Sequence, residues 1–168
     1  MKNRIKNSVV GALPSVLVLM ALLTCASLAT SVGAASSSPE NAAGRLIGVW
    51  DSQVTLTNCQ GITVSMFEAF VEFQRGGTTT SVDNTPPTGH GPGLGTWQSL
   101  GGGSYSAPFQ LIRFNTDGTF AGINRITRTI QLAADRNSYT SVVGVEVLDA
   151  NGNLIATLCG TEVATRFE

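Results

Sequence analysis

The first and last strand-forming segments of this chain are spaced to pair with each other. Gly48-Val49-Trp50 opens the first, and Arg166-Phe167 nearly closes the last. Cys59 ends the first segment and Cys159 sits inside the last. In an antiparallel ladder the residue numbers of partners add to a near-constant sum. Trp50 with Arg166 gives 216, and Cys59 with Cys159 gives 218. The sums are both even and differ by one side-chain repeat, so both pairs fit a single ladder. A chain whose end strands pair is most simply a closed barrel. A two-sheet sandwich is the alternative, and it would not require the ends to meet.

Between those ends the sequence reads as a meander. Runs rich in β-branched and aromatic residues alternate with turn clusters. They cover 47–59, 62–73, 78–82, 95–100, 105–115, 119–132, 138–148 and 153–167, about eight strands joined in order. Phe67, Ala69, Val71 and Phe73 share one face at period two. Asp117-Gly118 and Asn151-Gly152 are hairpin turns in which both residues tolerate positive φ. Thr85 to Gly93 is a loop by composition, because prolines cannot donate to a ladder and glycines weaken one. Strands of even spacing joined this way predict an all-β, up-and-down antiparallel barrel.

Residues 1–34 read as a secretory signal peptide. Lys2, Arg4 and Lys6 precede the apolar run Val9 to Leu23, and Val32-Gly33-Ala34 is a small-residue cleavage site. A lipid anchor at Cys25 is the alternative. Residues 35–45 form a small, polar, flexible leader, and 46–168 the barrel domain. Cutting after Ala34 leaves 168 − 34 = 134 residues, with seven arginines, no lysine and eleven acids. A mildly acidic, lysine-free surface argues against nucleic acid and anionic membranes, and the missing lysines exclude Schiff-base chemistry on a side chain. Cys59 and Cys159 remain, and an even pair in an exported chain is expected to oxidise. The expected location is secreted or periplasmic.

Gly48-x-Trp50 at the first strand, together with Arg166 near the end of the last, resembles the signature of lipocalin-like (calycin) barrels. In such barrels the arginine packs over the tryptophan and closes the bottom. That resemblance implies a barrel-closing role for Trp50 and Arg166. It covers the strand count and the two termini. The C-terminal helix and the middle Thr-Asp-type motif of typical lipocalins are missing. The chain is also similar in kind to allene-oxide-cyclase and dirigent-type barrels.

Catalytic, metal and cofactor signals are absent from the sequence. His90 is the sole histidine and lies between two glycines, a setting that positions an imidazole poorly. No metal-ligand spacing or phosphate-cradling loop is present. A barrel of this size either fills its interior with side chains or holds one small ligand. Period-two faces would place Phe109, Ile126, Val143, Val145 and Val147 inside, with Tyr105, Arg113, Asn124 and Arg128 as polar handles. The other reading has the apolar residues as simple core and the arginines in solvent. His90 and Trp97 are expected at the entrance, and the candidate ligand-binding residues are Trp97, Tyr105, Phe109, Arg113, Asn124 and Arg128.

Three functions follow. The first is a binding barrel for a small apolar or amphipathic molecule, with no covalent chemistry. The second is a cofactor-free cyclase or isomerase in which Tyr105, Arg113 or Glu162 moves a proton or steadies a charge. The third is an interaction or inhibitor domain acting through residues 85–93 over a filled core. A pocket volume separates the third from the others. A buried carboxylate or tyrosine at the pocket floor favours the second over the first. Oligomeric state is not legible.

Overall fold

The computed structural model describes residues 44–86 and 88–167, all within one compact unit. The expected signal peptide and most of the leader lie outside the described residues. Ten strands form one antiparallel sheet: β1 (Gly48–Thr57), β2 (Thr63–Phe73), β3 (Thr78–Asp83), β4 (Gly93–Thr96), β5 (Gln98–Gly101), β6 (Ser104–Ser106), β7 (Phe109–Phe114), β8 (Phe120–Leu132), β9 (Ser138–Leu148) and β10 (Leu154–Arg166). The sheet order is β5-β6-β8-β7-β4-β3-β2-β1-β10-β9, and β8 also pairs with β9, which closes the ring. The wall is an eight-strand up-and-down barrel with β5 and β6 as two extra strands. No sandwich forms.

Two expected strands are each broken in two. Residues 95–100 divide at Trp97 into β4 and β5, and 105–115 divide at Ala107-Pro108 into β6 and β7. Pro108 has no N–H to give the ladder, so the break falls where the backbone cannot pair. β6 and β7 then lie against different halves of β8, Tyr105 opposite Ile130 and Phe109 opposite Ile126.

The end strands pair in the expected register. Trp50 lies opposite Arg166, and the ladder runs on to Thr57 opposite Cys159. Cys59 sits two residues beyond that partner, in the turn, with φ of 65°. From there it forms a disulfide with Cys159 across a Cα–Cα distance of 4.8 Å. A disulfide is compatible with an oxidising, extracellular-type compartment.

The predicted DG and NG hairpins share one construction. Asn115 N–H donates to Thr119 O and Gly118 N–H to Asn115 O; Asp149 and Gly152 repeat this with Asn153 and Asp149. Gly118 and Gly152 both adopt positive φ, the conformation a non-glycine side chain resists.

Strand direction sorts the loops. The turns 58–62 and 115–119, the loop 84–92 and the turn 149–153 lie at one end, the mouth; 44–47, 74–77, 102–103 and 133–137 lie at the other, the base. At the base, Leu46, Trp50, Val71, Phe73, Trp97, Tyr105, Ala107, Ile130, Leu132, Tyr139 and Ala164 pack into one cluster. Its rings meet edge-on, Trp50 to Tyr139 at 4.9 Å and Phe73 to Trp97 at 6.0 Å, the arrangement ring quadrupoles favour. Trp50 Nε1 donates to Leu46 O at 2.9 Å, so the fully buried indole keeps its hydrogen bond. Above this floor a second cluster joins Ile126, Val143, Val145 and Val147 with Leu56, Phe109, Leu111 and Leu158.

Candidate functional site

The two halves of the lumen differ in how tightly they are closed. In the lower half the inward residues Trp50, Val71, Phe73, Tyr105 and Ile130 are all 0% exposed. In the upper half Leu56, Phe67, Phe109, Leu111, Arg113, Asn124 and Leu158 alternate inward on their strands yet stay only partly buried. The upper half is less shielded than the base toward the mouth, although Ile126, Val143, Val145 and Val147 within it are 5–8% exposed; its wall is mostly aliphatic, with Phe67 and Phe109.

Its floor is polar. Glu162 is 1% exposed and lies between Gly160 and Ala164 on the same face of β10. Ser52 donates to Glu162 Oε1 at 2.8 Å and Tyr139 to the same oxygen at 2.8 Å. Ser141 donates to Oε2 at 2.9 Å, and Arg128 Nη1 reaches Oε1 at 3.3 Å. Four donors on one buried carboxylate offset the desolvation that an isolated charge would suffer. Burial, followed by the adjacent Glu162 charge, holds the Tyr139 phenol far above its ordinary value of 10.0, so Tyr139 acts as a donor. Ladder register brings these groups together: Glu162 lies opposite Ser141, and Ala164 opposite both Ser52 and Tyr139.

Arg128 links the floor and the upper half. It is 4% exposed, and its guanidinium carbon lies 4.5 Å from the centre of the Phe109 ring and 5.6 Å from that of Phe73. Nη1 takes Glu162, whereas Nε and Nη2 are buried without a hydrogen-bond partner in the protein. Asn124 Oδ1 and Arg113 Nε, higher in the barrel, are in the same position. Buried polar atoms in native folds nearly always have partners, so each exception calls for an explanation.

The expected site residues divide by height. Phe109, Arg113, Asn124 and Arg128 do line the lumen above the floor. The reading of the arginines as solvated fails for Arg128, which period two turns inward. Trp97 and Tyr105 belong to the base. Trp97 Nε1 donates to Gln74 O at 3.0 Å, and its backbone N–H donates to Gly77 O. Trp97 therefore lies at the opposite end from the 84–92 loop and not at the entrance. The cause is the low wall on this side: β3 has 6 residues and β4 only 4, so the chain descends from mouth to base within a few residues.

The loop itself is at the mouth, but His90 is not loosely held. Its Nδ1 donates to Gly91 O at 2.8 Å, while Nε2 lies 2.6 Å from Thr85 Oγ1 and 3.2 Å from Asp83 Oδ2. His90 bridges Arg113 in antiparallel fashion, Gly91 N–H donates to Ile112 O, and Phe114 N–H donates to Gly89 O. β4 pairs with only Phe109 and Gln110 of β7. The segment around His90 supplies the upper wall that β4 is too short to provide.

Ser52 escaped the sequence reading, although period two from Trp50 turns it inward. Around the mouth the strand ends and hairpins expose Ile62, Val64, Phe114, Phe120, Leu154 and Ile155. A concavity of about 820 Å³ lies at the barrel wall. Outward side chains of Leu94, Gln110, Ile112, Arg125 and Glu146 line it together with Phe109, Leu111, Ile126 and Val145 of the upper cluster.

No protein-family model matches the chain, and no curated protein sequence matches it significantly. Among solved structures it is similar to the S-type phycobiliprotein lyase CPES from Guillardia theta, at 10% identity and a TM-score of 0.38, covering 77% of this chain and 92% of that one.

Proposed function

We propose that this chain is an exported binding barrel that holds a small apolar or amphipathic molecule in the upper lumen, without covalent chemistry. The observation that carries this reading is the contrast between the sealed base and the partly exposed inward residues above it. An apolar wall with a few convergent polar groups is the usual make-up of a small-molecule pocket. The apolar mouth suits entry of such a molecule. The segment around His90 completes the wall beside that mouth, so shortening it should change binding rates and, through the lost pairing with β7, fold stability as well. Native mass spectrometry of the purified protein tests the reading. A co-purified molecule, released on denaturation, is expected. A lumen that stays empty and takes up no apolar probe would overturn it.

The buried carboxylate and tyrosine at the floor support a second reading, a cofactor-free cyclase or isomerase using Glu162 and Tyr139. Binding ranks first because both Glu162 oxygens already accept hydrogen bonds from the protein. Taking a proton from a substrate would require breaking one of them. Deuterium incorporation into the co-purified molecule on incubation in heavy water would reverse the order. The interaction-domain alternative has less support, since it calls for a lumen filled to the rim.

A further inference from the structure

We infer that the ligand is electrically neutral and carries a carbonyl-type acceptor that sits on the free edge of Arg128; this inference rests on the binding reading above. Three observations converge on it. First, Nε and Nη2 form the side-on edge of the guanidinium, two parallel donors suited to one planar acceptor group. Both are buried and unpartnered, while Nη1 alone is engaged with Glu162. Second, Phe109 lies 4.5 Å from the guanidinium carbon and Phe73 5.6 Å, so aromatic rings crowd the group and favour approach along its edge. Third, Arg128 lies between the base cluster and the upper apolar cluster, against Phe73 of the one and Phe109 of the other.

Charge decides which acceptor. Arg128 and Glu162 already neutralise each other, with side chains 3% and 1% exposed. A carboxylate on the same edge would be a third buried charge without a counter-ion, and desolvating an unpaired ion is strongly unfavourable even after relaxation. Arg113 does not supply the missing cation. It pairs with Gly122, six residues above Arg128 on β8, or roughly 20 Å at strand rise. A ketone, aldehyde, amide or lactone oxygen satisfies both donors and leaves the charge balance intact. Asn124, four residues above Arg128 on the same inward face, offers a second polar contact about 13 Å up the wall. The ligand class is therefore a neutral, elongated, largely apolar carbonyl compound with a polar group toward its outer end.

Three fluorescent probes of comparable length test this on the wild-type protein at pH 8: prodan, a neutral aryl ketone; cis-parinaric acid, an ionised carboxylate; and diphenylhexatriene, which has no acceptor. Prodan is expected to bind at least about tenfold more tightly than parinaric acid, with an emission shift reporting a hydrogen-bonded carbonyl. Arg128→Met combined with Glu162→Gln removes both buried charges together. It should abolish the preference for prodan and leave diphenylhexatriene binding within about twofold, with near-ultraviolet circular dichroism confirming the fold. If parinaric acid binds as tightly as prodan, the neutral class is wrong while the binding reading stands. If prodan binding is unchanged in a folded double variant, Arg128 is not the contact. If none of the three probes binds, the binding reading itself fails. Should the double variant not fold, the wild-type ranking of the probes still decides for or against a neutral carbonyl.

Discussion

Arg166 and Trp50 are ladder partners whose side chains also stack, with the guanidinium carbon 4.3 Å from the centre of the indole. The same guanidinium donates to the carbonyls of Ile47, Arg45 and Arg136 at 2.9, 2.8 and 3.0 Å. One side chain thus ties the chain entry, the last strand and the 133–137 turn together across the base. Arg166→Ala should destabilise by about 1–2 kcal/mol through lost stacking and packing. Arg166→Lys should recover less than half, because an ammonium lacks the planar fork. Urea unfolding midpoints read both, and an unchanged midpoint for Arg166→Ala would mean the stack contributes nothing.

The disulfide joins positions separated by 100 residues. For a closed loop of that length the chain-entropy account gives about 4–5 kcal/mol, an upper figure. Cys59 and Cys159 should contribute no free thiol in the unfolded, unreduced protein. Reduction or Cys159→Ser should lower the unfolding midpoint while the β1–β10 ladder persists in the native state. Two titratable thiols from this pair would contradict the pairing.

Both tyrosines, Tyr105 and Tyr139, have phenols raised above the ordinary 10.0, chiefly by burial. For Tyr105 the nearby Arg45 and Arg136 offset part of that shift. The folded state therefore holds phenol protons that the unfolded chain releases above pH 10. Stability from these groups is fully present below pH 10 and falls as pH rises beyond it, by up to about 1.4 kcal/mol per pH unit for each phenol. Absorbance near 295 nm should begin to rise later than for free tyrosine, and the share contributed by Tyr139 should appear only with unfolding. Ordinary titration of either phenol in the folded protein would count against its burial.

Glu162→Gln alone should cost about 3–5 kcal/mol, because it leaves the buried Arg128 cation without its partner. Adding Arg128→Met should restore part of that loss, since no unpaired charge then remains. If the double variant is as unstable as the sum of the two single changes, the pair is not coupled across the lumen.

Which residues share a face was legible before any coordinates for several strands. Period two set out the faces of β2, β7, β8 and β9, because successive side chains on a strand must alternate. It put Arg128 and Asn124 on one face of β8 and Ser141 with the valines on one face of β9, and left open whether those faces point inward. The even index sums placed Trp50 against Arg166, since a ladder allows little else once both end strands pair. Height along the barrel was not legible. Alternation says nothing about how far a residue lies from the mouth, and the short β3 and β4 carried Trp97 to the base. The Pro/Gly composition of 85–93 ruled out a regular strand there, yet tertiary contact with β7 made the segment around His90 part of the wall.

Sequence alone determined a closed antiparallel barrel, because hydrophobic alternation, turn residues and paired ends are local rules that all agreed. The tertiary structure decided the site. Glu162 carries no local mark separating it from a solvated acid. Its meaning comes from Ser52, Tyr139, Ser141 and Arg128, which four strands bring within hydrogen-bond reach. Arg128, Tyr139, Ser141 and Glu162 meet through the register of β8, β9 and β10, and Ser52 joins them only when β1 pairs with β10 and closes the ring.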